Sequence, residues 1–123
     1  MNNIDYMSSA YKLLYEIETT LKQNIELTLE KHYGVNWQHI LRVNRDFKTA
    51  FFHELISYYG KYPPLTSIFT TSERNQLYQI VNTRNKIAHM KIISNEEYEM
   101  LVKCKKLVKV KLTADKEILQ LSK

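Results

Sequence analysis

The chain reads as an all-α protein, a four- to five-helix up-and-down bundle formed by a single helical domain over residues 1–123. Three observations predict this. Glycine and proline number only two each, against average shares of roughly 7% and 5%, too few for a turn-rich β architecture. Apolar residues recur at spacings of three and four, the period of a helix with one buried face. Two capping-box signals, Thr70 with Glu73 and Ser94 with Glu97, mark helix starts.

The first helix is predicted from about Asp5 to Tyr33, because Met7, Tyr11, Leu14, Ile17, Leu21, Ile25 and Leu29 follow helical spacing and Gly34 supplies a stop. A short Val35-Asn36-Trp37 connection and a turn through Ile40 lead to a second helix, from about Asn44 to Tyr59. It carries Phe47, Phe51, Leu55 and Tyr58 on its apolar face, and Gly60 ends it. These aromatic residues are assigned to the core rather than to a base-stacking platform. Residues 60–71 contain Pro63-Pro64 and little periodicity, so they read as the longest loop.

A third helix begins at the Thr70–Glu73 signal and runs through Leu77, Ile80, Val81 and Ile87 toward His89. The fourth opens at Ser94–Glu97 and carries Tyr98, Leu101, Val102 and Val108. Its end stays open, because Val108-Lys109-Val110-Lys111-Leu112 alternates with period two and fits an extended segment as well.

With 44% hydrophobic residues, the chain has enough apolar material for one core. A single cysteine, Cys104, excludes an internal disulfide and reads as a small packing residue. There is no apolar run near 18 residues and no secretory leader, so a soluble cytoplasmic protein with no membrane partner is expected. The net charge of +5 is unevenly placed: residues 1–83 hold eight Lys/Arg and eight Asp/Glu, whereas residues 84–123 hold ten and five. A basic half that begins at Arg84 favours capture of a polyanion. Lys103, Lys105, Lys106, Lys109 and Lys111 fit a solvated, solubilising surface equally well.

The segment Arg84-Asn85-Lys86-Ile87-Ala88-His89 carries the chemistry. An arginine stays charged and grips two phosphate oxygens through its planar fork. A histidine, with an ordinary pKa of about 6.5, moves protons near neutrality. On a continuous helix Leu77, Ile80, Val81, Ile87 and Ala88 form an apolar stripe with Arg84 in its middle, and Tyr78, Asn82, Asn85 and His89 form a polar ridge beside it. A guanidinium on such a stripe needs an anion, either a carboxylate such as Asp46 or Glu54 or a phosphate in an interface cleft. His89 also fits a capping role at the helix end, where the dipole favours a cation.

The stretch Asn82-Thr83-Arg84-Asn85-Lys86-Ile87-Ala88-His89 resembles the Arg-Asn-x-x-x-His signature of the HEPN superfamily (higher eukaryotes and prokaryotes nucleotide-binding domains). Helix order extends the resemblance over residues 5 to about 112, and it is specific at residues 84–89. It implies a HEPN-like domain whose catalytic residues are Arg84, His89 and Asn85; Lys86, Asn82, Tyr78 and Lys91 around the motif are expected to bind the RNA. Many members are small bacterial ribonucleases that serve as toxins, abortive-infection factors or phage-defence effectors. The implied activity is a metal-independent endoribonuclease with no cofactor. RNA, a second copy of the chain and an antitoxin or regulatory protein are the implied partners. Other members are non-catalytic dimerisation, nucleotide-binding or protein-interaction modules, and this alternative predicts the same fold.

Metal-free RNA cleavage requires the ribose 2′-hydroxyl to lose a proton as it attacks phosphorus, and the departing 5′-oxygen to gain one. His89 serves either step, Arg84 meets the phosphorane charge, and Asn85 orients phosphate or imidazole. Other constellations fail on spacing. His53-Glu54 begins like a zinc-protease helix, but Ser57 stands where the second ligand belongs. His32 and His39 lack a third ligand. Gly34 and Gly60 are isolated, so no phosphate loop exists. No helix-turn-helix spacing supports a DNA reader.

Overall fold

The computed structural model describes residues 3–43 and 46–121, with side chains described through residue 112. The helices are α1 (Asn3–Tyr33), α2 (Trp37–Ile40), α3 (Phe52–Lys61), α4 (Thr71–Tyr78), α5 (Val81–Ala88) and α6 (Asn95–Leu121). Single 3₁₀ turns lie at Phe47–Thr49 and Leu65–Ser67, and there is no strand among the described residues. Since α2 is one turn long, about five helices build this all-α bundle.

The two long helices form its spine. Tyr6 stacks on Tyr98 with ring centroids 5.2 Å apart, and Glu16 pairs with Lys105, so α1 and α6 run in the same direction. α4 and α5 return against them. Along α6, Glu73 meets Lys111 at 3.2 Å, the Cys104 thiol donates to the Gln76 carbonyl at 3.6 Å, and Lys86 meets Glu97 at 3.0 Å. Along α1, Arg84 meets Glu18 at 3.3 Å, and the Tyr6 hydroxyl donates to the Ile93 carbonyl at 3.1 Å. The core between these helices holds Ile17, Leu21, Ile25, Leu55, Tyr59, Leu77, Ile80 and Leu101, all fully buried. Each such aliphatic side chain contributes about 1.5–3 kcal/mol of transfer free energy.

Both capping boxes form as the sequence predicts. The Thr70 hydroxyl accepts from the Glu73 amide at 3.1 Å, and Glu73 accepts from the Thr70 amide at 2.8 Å. Ser94 and Glu97 repeat the pattern at 3.1 and 2.9 Å. α1 ends where Gly34 takes φ +93°, a conformation in which an L side chain is strained, and donates to the Glu30 carbonyl at 2.8 Å. Residues 108–112 continue α6, with Val108 and Leu112 buried, so the extended alternative fails: both face the core with helical spacing.

Elsewhere the elements differ from expectation. The second predicted helix is interrupted, and its expected start, Asn44, lies outside the described residues. Asp46 caps the 3₁₀ turn at Phe47, the chain is extended through Ala50 and Phe51, and α3 begins at Phe52. Phe51 is therefore exposed against His53, and Phe52 enters the core in its place. Gly60 lies inside α3 instead of after it. The Arg74 guanidinium rests on it, where an added Cβ would stand 3.1 Å from Arg74 Nε, so the glycine allows α3 and α4 to approach closely.

Tyr11 is exposed as well, although helical spacing put it on the core stripe. Its neighbour Ala10 is fully buried and offers no bulk to hold the partner helices apart. The largest difference is the third predicted helix. It breaks at Gln79 and Ile80 into α4 and α5, with the Ile80 amide donating to the Leu77 carbonyl at 3.2 Å. Leu77 and Ile80 both stay in the core across the turn.

Candidate functional site

The turn between α4 and α5 and the end of α5 enclose one side of an open depression of about 460 Å³. Asn82, Asn85, Lys86, His89 and Lys91 line it, as the sequence reading groups them. Gln79, Thr83 and Glu97 line it too, and these were not anticipated as site residues. Arg84 and Tyr78 are not part of the lining: Arg84 faces α1, and Tyr78 stands exposed on α4.

The end of α5 explains how His89 and Lys91 reach the depression. The His89 amide donates to the Asn85 carbonyl at 3.1 Å, Met90 to Ile87 at 3.0 Å, and Lys91 to Lys86 at 2.8 Å. This is a Schellman closure, in which the residue after the cap turns left-handed. That residue is Met90, with φ 59° and a side chain 92% exposed. A glycine there would relieve strain of about 1 kcal/mol. Met90→Gly is expected to raise the melting temperature by about 2–4 °C. Thermal denaturation followed by circular dichroism checks this, and a lowered melting temperature would show that Met90 supports the fold through contacts instead.

Glu97 organises the other wall. It accepts from the Ser94 amide at 2.9 Å, from the buried Thr83 hydroxyl at 3.3 Å, and from Lys86 Nζ at 3.1 Å. The Ser94 amide holds its carboxyl below the ordinary value, and the Lys86 ammonium adds to this, so Glu97 stays ionised near neutrality. A single carboxylate thus starts α6 and fixes Lys86 at the mouth of the depression. The sequence carried this signal in the Ser94–Glu97 spacing, but that spacing marked only a helix start.

Arg84 meets neither Asp46 nor Glu54, the carboxylates its sequence position suggested. Its partner is Glu18 on α1, at 3.3 Å, with side chains 36% and 23% exposed. Asp46 accepts from the Lys48 amide, and Glu54 accepts from the Phe51 amide at the start of α3. Five helical residues separate Arg84 from His89, about 140° around the axis, so within one protomer they face different sides. Between the Tyr6–Ile93 and Glu18–Arg84 contacts, α1 exposes a stacked Tyr11–Tyr15 pair, and the opposing chain exposes Ala88 and Met90.

Lys105 and Lys111 pair with Glu16 and Glu73, so they tie α6 to the bundle. Lys103, Lys106 and Lys109 are exposed. Burial raises the Cys104 thiol to about 11, which leaves it an inert packing group at neutral pH. Among the described residues, no three His, Cys, Asp or Glu side chains are grouped to hold a metal ion. Among them, too, no helix is long and apolar enough to cross a membrane.

No family model, no curated protein and no solved structure matches the chain.

Proposed function

We propose that the chain is a HEPN-type, metal-independent endoribonuclease that works as a two-fold homodimer, of the toxin or phage-defence class that the resemblance implies. The observation that carries this reading is the depression, where an exposed imidazole is grouped with two ammonium groups and three carboxamides in a region of net positive charge. Lys86 and Lys91 suit backbone phosphates. His89 suits proton transfer with the 2′-hydroxyl or the departing 5′-oxygen.

What one protomer lacks at this wall is the planar guanidinium fork for the pentavalent phosphorane, since Arg84 faces the other side. A two-fold contact that covers the exposed Tyr11, Tyr15, Ala88 and Met90 would bring the Arg84 of one copy toward the His89 of the other. The two-fold operation makes both sites alike. In the reaction, the 2′-oxygen bonds to phosphorus, the bond from phosphorus to the 5′-oxygen breaks, and the products are a 2′,3′-cyclic phosphate and a 5′-hydroxyl. His89 accepts the first proton or supplies the second. Arg84 neutralises charge that grows between them, a role that preorganised donors perform with little reorganisation.

The expected result with purified protein and total RNA is cleavage that persists in EDTA and leaves cyclic or 3′-phosphate ends. A substrate with one 2′-deoxy sugar at the cut position should resist. Activity that appears only with added magnesium or manganese would overturn the mechanism. The Arg84–Glu18 pair favours a second reading, a non-catalytic dimerisation or nucleotide-binding module in which the arginine holds α5 against α1. That module would leave RNA intact in the same assay.

A further inference from the structure

Three carboxamides, Gln79, Asn82 and Asn85, line the depression together with Lys86 and Lys91. All three are exposed, and none of their side chains bonds to another described residue. On an unbroken helix Gln79 and Asn85 would stand about 120° apart. The turn at Gln79 and Ile80 brings both to one depression. The break thus gathers these amides.

A phosphate offers only acceptors, and the two lysines already suit it. A carboxamide carries a donor and an acceptor side by side, and it is matched by a ligand edge that carries an acceptor and a donor in the same register. Nucleobase edges have that form, and single-stranded RNA leaves both the Watson–Crick and the Hoogsteen edges open. Adenine presents such a pair on both, through N6–H with N1 and N6–H with N7. Cytosine, uracil and guanine present it on the Watson–Crick edge only, since the Hoogsteen edge of guanine offers acceptors alone. A volume of about 460 Å³ lies within the range of small-molecule sites, large enough for a base with its phosphate. The one ring in the lining is the His89 imidazole, which the ribonuclease reading uses for proton transfer, so base selectivity here is assigned to the hydrogen bonds of the carboxamides.

We infer that this depression selects an adenine of single-stranded RNA, with Gln79 and Asn82 as the residues that grip its two edges and Lys86 and Lys91 on the adjoining phosphates. The inference rests on the ribonuclease reading for its substrate, and its test does not depend on cleavage. The probes are fluorescein-labelled 2′-O-methyl dodecamers of uridine whose central three positions are all adenine, cytosine, guanine or uridine. They lack the attacking hydroxyl and cannot be cut.

Anisotropy titrations of the full chain are expected to show about ten-fold tighter binding of the adenine probe, the scale of one good bidentate pair. Gln79→Ala and Asn82→Ala are each expected to bring that ratio close to one. Asn82→Gln, which keeps a carboxamide, is expected to retain part of it, and circular dichroism verifies the fold of each variant. Equal affinity for the four probes, an adenine preference that survives both alanine variants, or no binding at all would overturn the inference. Adenosine monophosphate that displaces the adenine probe as well as the unlabelled oligonucleotide does would overturn the assignment to an RNA strand. Cleavage of total RNA combined with equal affinities would sink this inference and leave the ribonuclease reading standing. Adenine selectivity without cleavage would do the reverse.

Discussion

His89→Ala is expected to lower the rate of RNA cleavage by about 10²–10⁴-fold, the usual worth of a positioned acid or base, while the helical signal and the melting transition stay near those of the parent chain. The structure explains the second half of that expectation. His89 caps α5 through its backbone amide, which any residue except proline supplies, and its exposed side chain bonds to no other described residue. Arg84→Ala is expected to cause a comparable loss of rate for a different reason. It leaves Glu18 without its ion pair, but both side chains are partly exposed, so the cost to stability is about 1 kcal/mol or less.

Arg84→Lys separates charge from geometry, since an ammonium keeps the cation and loses the planar fork. A partial recovery of rate assigns Arg84 to the phosphorane charge. Glu18→Gln provides the converse control: it frees Arg84 without removing it, and cleavage is expected to persist. Wild-type rates in either alanine variant would end the mechanism. Loss of cooperative melting in both would return Arg84 and His89 to structural roles, as the second reading requires.

What the sequence made legible follows the range of the interaction that set it. The two capping boxes are contacts across three residues, and both form as predicted. The core stripe of α1 was legible over Leu14, Ile17, Leu21, Ile25 and Leu29, because spacing alone decides which side chains share a face. It failed at Tyr11, where the choice between a tyrosine and the adjacent Ala10 depends on how closely other helices approach. The break at Gln79 and Ile80 had no glycine or proline to announce it. It lies in the backbone, where Ile80 takes φ −90° and ψ 3° and its amide donates to Leu77 three residues back, and the periodicity of side chains does not report such a turn.

The site divides the same way. Asn82, Asn85, Lys86, His89 and Lys91 are within ten residues of one another and were found together. Gln79 was hidden by the assumption of one continuous helix. Glu18 is 66 residues from Arg84, and no periodicity in a single chain reports such a pair. Tyr78 shares the predicted ridge with Asn82 only if the helix is unbroken, and the turn after it leaves it on α4, outside the depression.

Mixing two inactive variants is expected to restore cleavage if the site is shared between copies. Arg84→Ala homodimers have two sites with His89 and no Arg84, and His89→Ala homodimers have two sites with Arg84 and no His89. In a heterodimer, a site that takes its arginine from one chain and its histidine from the other is either wholly intact or doubly impaired. Random exchange makes half of the dimers heterodimers, so recovery of about one quarter of wild-type activity is expected from the two-fold geometry. Refolding the variants together from denaturant ensures exchange, and each variant refolded alone sets the baseline. Arg84 against α1 and His89 in the depression stand about 140° apart on one short helix, too far around it to meet within one protomer. A site built within one protomer would give no recovery, because each chain would still lack one of the two groups. Full activity of the parent chain as a monomer at micromolar concentration, measured by sedimentation alongside the assay, would exclude the shared cleft outright.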